Sequence, residues 1–119
     1  MTRRVDKPWG HEEIWAQTEA YLGKLLVIRA GARLSLQHHE VKDETIRVVS
    51  GRLLLELDDE DGVLGRFELG PGDARRIRAG RRHRFSGITD CEVFEVSTAH
   101  PDDVVRHQDD YGREGTNDP

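Results

Sequence analysis

Short runs in which apolar residues adjoin or alternate with polar ones recur at Glu12 to Trp15, Tyr21 to Arg29, Leu34 to Gln37, Glu44 to Val49, Arg52 to Leu57, Val63 to Leu69, Ala74 to Ile77, His83 to Phe85 and Cys91 to Val96. Each is the length of a β-strand. Between them lie Ala30-Gly31-Ala32, Ser50-Gly51-Arg52, Asp58 to Gly62, Gly70-Pro71-Gly72-Asp73, Ala79-Gly80 and Thr89-Asp90. These form turns because Gly admits positive φ and Asp hydrogen-bonds its own backbone. Many short strands at regular spacing predict an all-β sandwich or barrel. The acidic run Asp58 to Asp61 reads as a solvated hairpin tip, since it lacks the ligand spacing of a calcium loop. One short helix is predicted from Pro101 to Arg106: Pro starts the turn, Asp102 and Asp103 suit its positive end, and Val104 and Val105 pack back.

A chain of 119 residues is enough for one core and not for two. The expected domain is 1–113, with its core at about 20–98, an N-terminal arm at 1–19 and a C-terminal segment at 99–113; residues 114–119 read as a disordered tail. The formal net charge of -5 argues against the surplus of Lys and Arg that holds a phosphate backbone, so no nucleic-acid partner is expected. Cys91 has no second cysteine to pair with, and Met1-Thr2-Arg3-Arg4 leads into Asp6 and Lys7 instead of an apolar signal segment. No run approaches the ~20 apolar residues of a membrane span. The expected location is cytoplasmic, with no membrane partner.

The residues with the most chemistry lie between Gly31 and Gly51. Side chains two apart on a strand point the same way, so Gln37 and His39 share a face, and Glu44 returns from the neighbouring strand after a short turn. Farther on, Gly72 to Gly80 leads to His83, which adds a second imidazole to the available donors.

The first stretch reads Gly31, five residues, Gln37, one residue, His39, four residues, Glu44, six residues, Gly51. It resembles the first cupin motif, with Gln37 where His is usual. Gly72, Gly80 and His83 resemble the second motif, with Arg78 where Pro is usual and Gly87 where Asn is usual. The resemblance implies a double-stranded β-helix, the jelly-roll β-barrel of cupins. It also implies one divalent transition metal ion, Zn, Mn, Co, Ni or Fe, held by Gln37, His39, Glu44 and His83.

Leu34-Ser35-Leu36-Gln37-x-His39 is similar to the type II phosphomannose isomerase branch, a domain also found fused behind mannose-1-phosphate guanylyltransferases. The likeness continues through Lys7-Pro8-Trp9-Gly10, Gly23-Lys24, Glu95 to Thr98, Asp102 to Arg106 and Asp110 to Arg113. It departs at Lys42, where the fused isomerases tend to have Arg, and at Thr45-Ile46, where they tend to have His-Trp. No nucleotidyltransferase residues accompany the segment, so any activity is expected from the cupin alone.

The activity implied is aldose–ketose isomerisation of a sugar phosphate, mannose 6-phosphate with fructose 6-phosphate, through a metal-stabilised enediolate. Either Lys24, on a face with Leu26 and Ile28, or Glu95, on a face with Val93 and Ser97, is the expected proton carrier. Arg113 matches a family Arg near the pocket mouth, and Tyr111 anchors that tail. Six arginines fall between Arg75 and Arg84; Arg76, or its neighbour Arg75, is the candidate for the sugar's phosphate, while Arg82 and Arg84 alternate away from His83 and Phe85 toward solvent or another subunit. Ser35 and Lys42, inside the first motif, complete the expected substrate contacts. Trp9 and Trp15 are read as core filling before sugar-stacking walls.

Two other functions fit the same donors. His39, Glu44 and His83 form a 2-His-1-carboxylate set suited to an Fe(II) dioxygenase, although Gln37 as a fourth ligand occupies a position such chemistry needs. A non-catalytic metal- and sugar-binding cupin is the third reading. A homodimer is expected, from the apolar face of Leu34 and Leu36.

Overall fold

The computed structural model describes residues 2–59 and 61–114. Among these residues eleven strands and no helix form: β1 (Arg3–Lys7), β2 (Gly10–Gln17), β3 (Tyr21–Ile28), β4 (Leu36–His38), β5 (Glu44–Ser50), β6 (Leu53–Asp58), β7 (Leu64–Leu69), β8 (Ala74–Ile77), β9 (His83–Gly87), β10 (Cys91–Thr98) and β11 (Val105–Gln108). They make two antiparallel sheets, one in the order β1-β2-β3-β10-β5-β8 and the other β11-β4-β9-β6-β7. This is the expected all-β jelly roll.

Period-two alternation decides what each strand places inside. In β10 the buried positions are Cys91, Val93, Glu95 and Ser97; in β5 they are Glu44, Ile46 and Val48. The two strands pair in register, Val93 with Val48, Glu95 with Ile46 and Ser97 with Glu44. The inner face of one sheet therefore passes from aliphatic to acidic along its strands. Ile28, Ile46 and Val93 from the six-stranded sheet meet Leu53, Leu55 and Phe85 from the other in a single apolar cluster. The acidic end is left to a cavity.

The hairpin tip after β6 is organised as its acidic sequence suggests, with the Asp59 carboxylate accepting hydrogen bonds from the N–H groups of Asp61 and Val63. The end of the chain differs from expectation. Pro101 to Arg106 forms no helix: a turn at Pro101 leads into β11, whose Val105 and Arg106 pair with His38 and Gln37 of β4. Six residues are too few to offset helix nucleation, whereas an open sheet edge supplies backbone partners at once. Asp103, read as a helix-starting residue, instead accepts from the N–H groups of Glu40, Val41 and Lys42. The N-terminal arm likewise carries a strand with little apolar signal, β1, which pairs with β2 from Arg3 opposite Ile14 to Lys7 opposite Gly10. The tail expectation lies outside the described residues from 115 onward.

The face expected to form a dimer is already used. Leu36 is buried and Leu34 packs on the core, so neither is available to a second copy. The exposed large apolar residues of the six-stranded sheet are Trp15, Tyr21, Val49, Phe94 and Val96.

Gly51, which closes the first motif, sits at φ 78°, and a Cβ there would lie 2.1 Å from the carbonyl oxygen of Asp90. Gly31, which opens the motif, has the same φ but open space around the missing Cβ. Gly51→Ala is expected to cost about 2–4 kcal/mol, from the left-handed backbone plus overpacking, and Gly31→Ala about 1–2 kcal/mol, from the backbone alone. Urea denaturation of the two variants checks the difference.

Candidate metal centre

Strand starts and ends bring the donors together. His39 follows directly on β4, Glu44 opens β5 and His83 opens β9. Their ligand atoms all lie within 4.8 Å of one another, and all three residues are buried. His83 Nε2 is 3.3 Å and His39 Nε2 3.8 Å from the Glu44 carboxylate, but neither is aligned as a hydrogen bond. Both Glu44 oxygens and both Nε2 atoms are thus buried without a hydrogen-bond partner.

The opposite ring nitrogens are fixed. His83 Nδ1 lies 3.0 Å from the carbonyl oxygen of Arg81, and His39 Nδ1 lies 2.5 Å from that of Asp103. A carbonyl only accepts, so each Nδ1 must donate, and each Nε2 turns its lone pair inward in the neutral ring. This is the arrangement that orients metal-binding imidazoles. Burial, partly opposed by the Glu44 charge, lowers the His39 pKa to about 4, which keeps that ring neutral at pH 7. Burial alone would raise the Glu44 pKa, yet His83, Lys42 and His39 hold it well below the carboxylate range. Two imidazole nitrogens and a carboxylate, each missing a hydrogen-bond partner within one buried cluster, fit a divalent transition metal.

Gln37 faces His83 in register and also lines the cavity. Ser35 donates to its Oε1 at 2.6 Å, which sets the amide's orientation. Lys42 Nζ bridges Glu44 at 3.3 Å and Glu95 at 3.0 Å. Burial works against the charge on Lys42, but Glu95 and Glu44 outweigh it and raise its pKa. Burial and the Glu44 charge push the Glu95 pKa up, with Lys42 and Lys24 opposing. Lys24 pairs with Glu95 across β3 and β10 and contacts Glu12 at 3.3 Å. Arg113 folds back: its Nε holds Asp109 at 2.8 Å, and its guanidinium stands 5.6 Å from the Tyr111 ring centre. Lys24, Ser35, Gln37, Lys42, Glu95 and Arg113 all line one cavity of about 230 Å³ together with His39 and Glu44.

Arg76 does not join them. It stands on the exposed strand β8 and forms an ion pair with Asp43 at 2.6 Å. The other arginines of that run are used elsewhere: Arg82 holds Asp58, Arg75 lies over the Phe67 ring, and Arg84, expected at the surface, is buried with hydrogen bonds to the carbonyls of Leu34 and Gln108. Alternation places Arg84 opposite His83 correctly, but that face of β9 is covered by the C-terminal segment. Trp9 is core and also lines the cavity; Trp15 is exposed and packs edge-on to Phe94. Sequence reasoning assigned no site role to Lys7, Glu12, Asp103 or Arg106. A strand reading of Val104 to Gln108 would have turned Arg106 inward beside Gln37.

The Cupin domain family matches residues 24–97, a span that contains all four expected ligands. The chain belongs to the cupin family. Among curated relatives, the mannose-1-phosphate guanylyltransferase ManC of Salmonella typhimurium is 32% identical over 118 residues, 95% of this chain and 24% of ManC. The polyketide synthase CurC of Streptomyces cyaneus is 34% identical over 95 residues, 77% of this chain and 58% of CurC. This cupin thus spans about a quarter of the length of ManC. The solved structure of KdgF from Halomonas sp. matches with a TM-score of 0.72 at 24% identity, over 82% of this chain and 88% of that one, a likeness of fold. No helix among the described residues is long and apolar enough to cross a membrane.

Two measurements probe the centre. Glu44→Gln and His83→Ala are each expected to weaken Zn or Mn binding by at least about 100-fold in equilibrium dialysis while circular dichroism shows the fold kept; unchanged binding in both removes the centre. The Asp103 carboxyl is pushed up by burial but held below 3.8 by the N–H groups of Lys42, Glu40 and Val41, so its stabilising contribution is present above that pH and lost as pH falls below it. Asp103→Asn is expected to cost about 1–2 kcal/mol at pH 7, allowing for solvent screening, with the deficit closing at lower pH in denaturant titrations.

Proposed function

We propose that this cupin is a metal-dependent isomerase of sugar phosphates, interconverting mannose 6-phosphate and fructose 6-phosphate, with Gln37, His39, Glu44 and His83 holding the metal. The observation that carries the reading is a buried carboxylate, Glu95, set in the same cavity as His39 and Glu44 of the donor cluster and joined to Glu44 through Lys42. A divalent ion bound there supplies Lewis acidity toward two adjacent sugar oxygens.

Glu95 is the proton carrier in this reading. Its carboxylate takes the proton from C2 of the aldose, and the C–H electron pair becomes the C1–C2 double bond of the enediolate. The same acid then returns a proton to C1, while the hydroxyl proton passes from O2 to O1 and the carbonyl ends at C2. The opposing effects on Glu95, burial and Glu44 raising its proton affinity and Lys42 and Lys24 lowering it, suit a group that must both accept and release a proton. Lys24 lies directly across from Glu95 and supports its charge instead of acting as the base. Lys42 and Ser35 are substrate-facing through their place in the cavity lining.

The departures from the isomerase pattern bear on the non-catalytic alternative. Ile46 is fully buried in the apolar cluster and Thr45 alternates to the other face, so neither lines the cavity. Only the Lys42 departure touches the site. The likeness to ManC and to the alginate biosynthesis protein AlgA of Pseudomonas aeruginosa supports a role in supplying sugar precursors.

Metal-replete protein incubated with mannose 6-phosphate in D2O is expected to form fructose 6-phosphate and to place deuterium at C1 or C2, read by NMR. Glu95→Gln is expected to slow exchange by about 100-fold or more with metal content unchanged. Stoichiometric metal without exchange on either sugar phosphate assigns the protein to non-catalytic binding, and oxygen consumption with Fe(II) assigns it to the oxygenases.

A further inference from the structure

We infer that the cavity contains, apart from its metal end, a subsite for a phosphate dianion built from Lys7 of β1, Lys24 of β3, Arg106 of β11 and Arg113 of the C-terminal segment. All four line the same cavity as Glu44 and Glu95. The side chains of Lys7, Lys24 and Arg113 are only 11%, 12% and 12% exposed, and Arg106 is buried. Withdrawing four cations from water into one enclosed space is unfavourable unless negative charge gathers there too.

The carboxylates that face them are known. Glu12 stands between Lys7 at 3.8 Å and Lys24 at 3.3 Å, Asp109 grips Arg113, and Asp102 lines the cavity wall. Arg106 and Arg113 have partners within the fold, so what attracts an anion is the accumulated field and the several N–H donors of each guanidinium, which holds one acceptor and can still engage another. Lys7 feels the other three: burial lowers its proton affinity, the Glu12 charge opposes this, and Lys24, Arg113 and Arg106 lower it further.

Geometry favours a phosphate over a carboxylate. The cations approach from two strands of one sheet, one strand of the other and the C-terminal segment, which suits three terminal oxygens of a tetrahedral group better than the two of a planar one. Spacing ties the subsite to the metal end. Lys24 on β3 is level with Ile46 two strand intervals away on β5, and Glu44 is two residues farther along, a separation of roughly 12 Å between backbones. An extended hexose 6-phosphate spans about 9 Å from C1 to phosphorus, on ordinary single-bond lengths. The reading of the site as a hexose-phosphate isomerase is needed only to name the sugar that carries the phosphate.

The test uses metal-depleted full chain, so that anion binding is read without catalysis. In calorimetric or 31P NMR titrations, inorganic phosphate and mannose 6-phosphate are expected to bind, with affinity falling as salt rises. Mannose and glucuronate are expected to bind at least tenfold more weakly. Lys7→Met and Arg113→Gln are each expected to weaken phosphate binding by about tenfold with circular dichroism showing a folded protein, Arg113→Gln melting lower because the buried Asp109 loses its partner; Arg106→Lys serves as the variant that keeps the charge beside Gln37 and is expected to bind phosphate within about threefold of wild type. The subsite is overturned if millimolar phosphate does not bind, if glucuronate binds as tightly, or if folded Lys7→Met and Arg113→Gln proteins bind phosphate as wild type does. Phosphate binding that responds to both variants, without deuterium exchange in the metal-loaded protein, leaves the subsite standing and removes the isomerase. Exchange on mannose 6-phosphate with KM unaltered in both variants does the reverse.

Discussion

The structure is organised around the negative charge of Glu44, which has almost no contact with water. A carboxylate removed from water costs several kcal/mol unless positive charge and donors replace the lost solvent. The fold supplies Lys42 directly, but that lysine is shared with a second buried carboxylate, Glu95. Lys24 supports Glu95 from the neighbouring strand, but both Glu44 oxygens remain without a hydrogen-bond partner just where the two imidazole Nε2 atoms lie. A purely structural core has no use for that combination, because an aliphatic side chain at each position would be cheaper to bury. That is an electrostatic environment a divalent cation would fit.

Holding the imidazoles in place draws in distant parts of the chain. The Gly80 N–H donates to the His39 carbonyl at 2.7 Å, so the turn before His83 also fixes the first motif's histidine. Asp103 acts twice: its backbone carbonyl orients His39, and its carboxylate gathers the three N–H groups of the loop that ends at Lys42. Arg106, three residues after Asp103, pairs with Gln37. The C-terminal segment is therefore part of the centre's scaffold, which explains why it runs as a strand along β4 and not as an independent helix.

These couplings mark where sequence reasoning succeeds and where it stops. Strand periodicity converts spacing into facing direction, so Gln37 and His39 were expected on one face with Glu44 returning beside them, and all three line one cavity. Most strand cores were legible for the same reason, Ala74 to Ile77 to the residue. What local pattern does not contain is the identity of the neighbour. Val104 and Val105 satisfy a helix or a strand equally, and only the open edge of β4 decides between them. Arg84 alternates away from the cavity as expected, but the segment that covers it comes from the far end of the chain. Arg76 looked like an anion ligand by composition, yet Asp43 lies within reach of it at the surface.

The same distinction clarifies which departures from the isomerase pattern concern chemistry. Ile46, where the isomerase pattern has a bulkier aromatic, lies within the apolar cluster with Val48 and Val93 and away from the cavity lining. Lys42 in place of Arg is different in kind, because it exchanges a planar fork with several fixed donors for a single compact ammonium. An ammonium can bridge Glu44 and Glu95 from one point, as it does here, whereas a guanidinium would contact them through separate nitrogens and reach farther into the cavity. The difference places a compact ammonium next to Glu95, while Lys7, Lys24, Arg106 and Arg113 supply the other cationic side chains of the cavity lining. Charge in this cavity is thus divided between its two ends, acidic around the donors and basic toward β1 and β11.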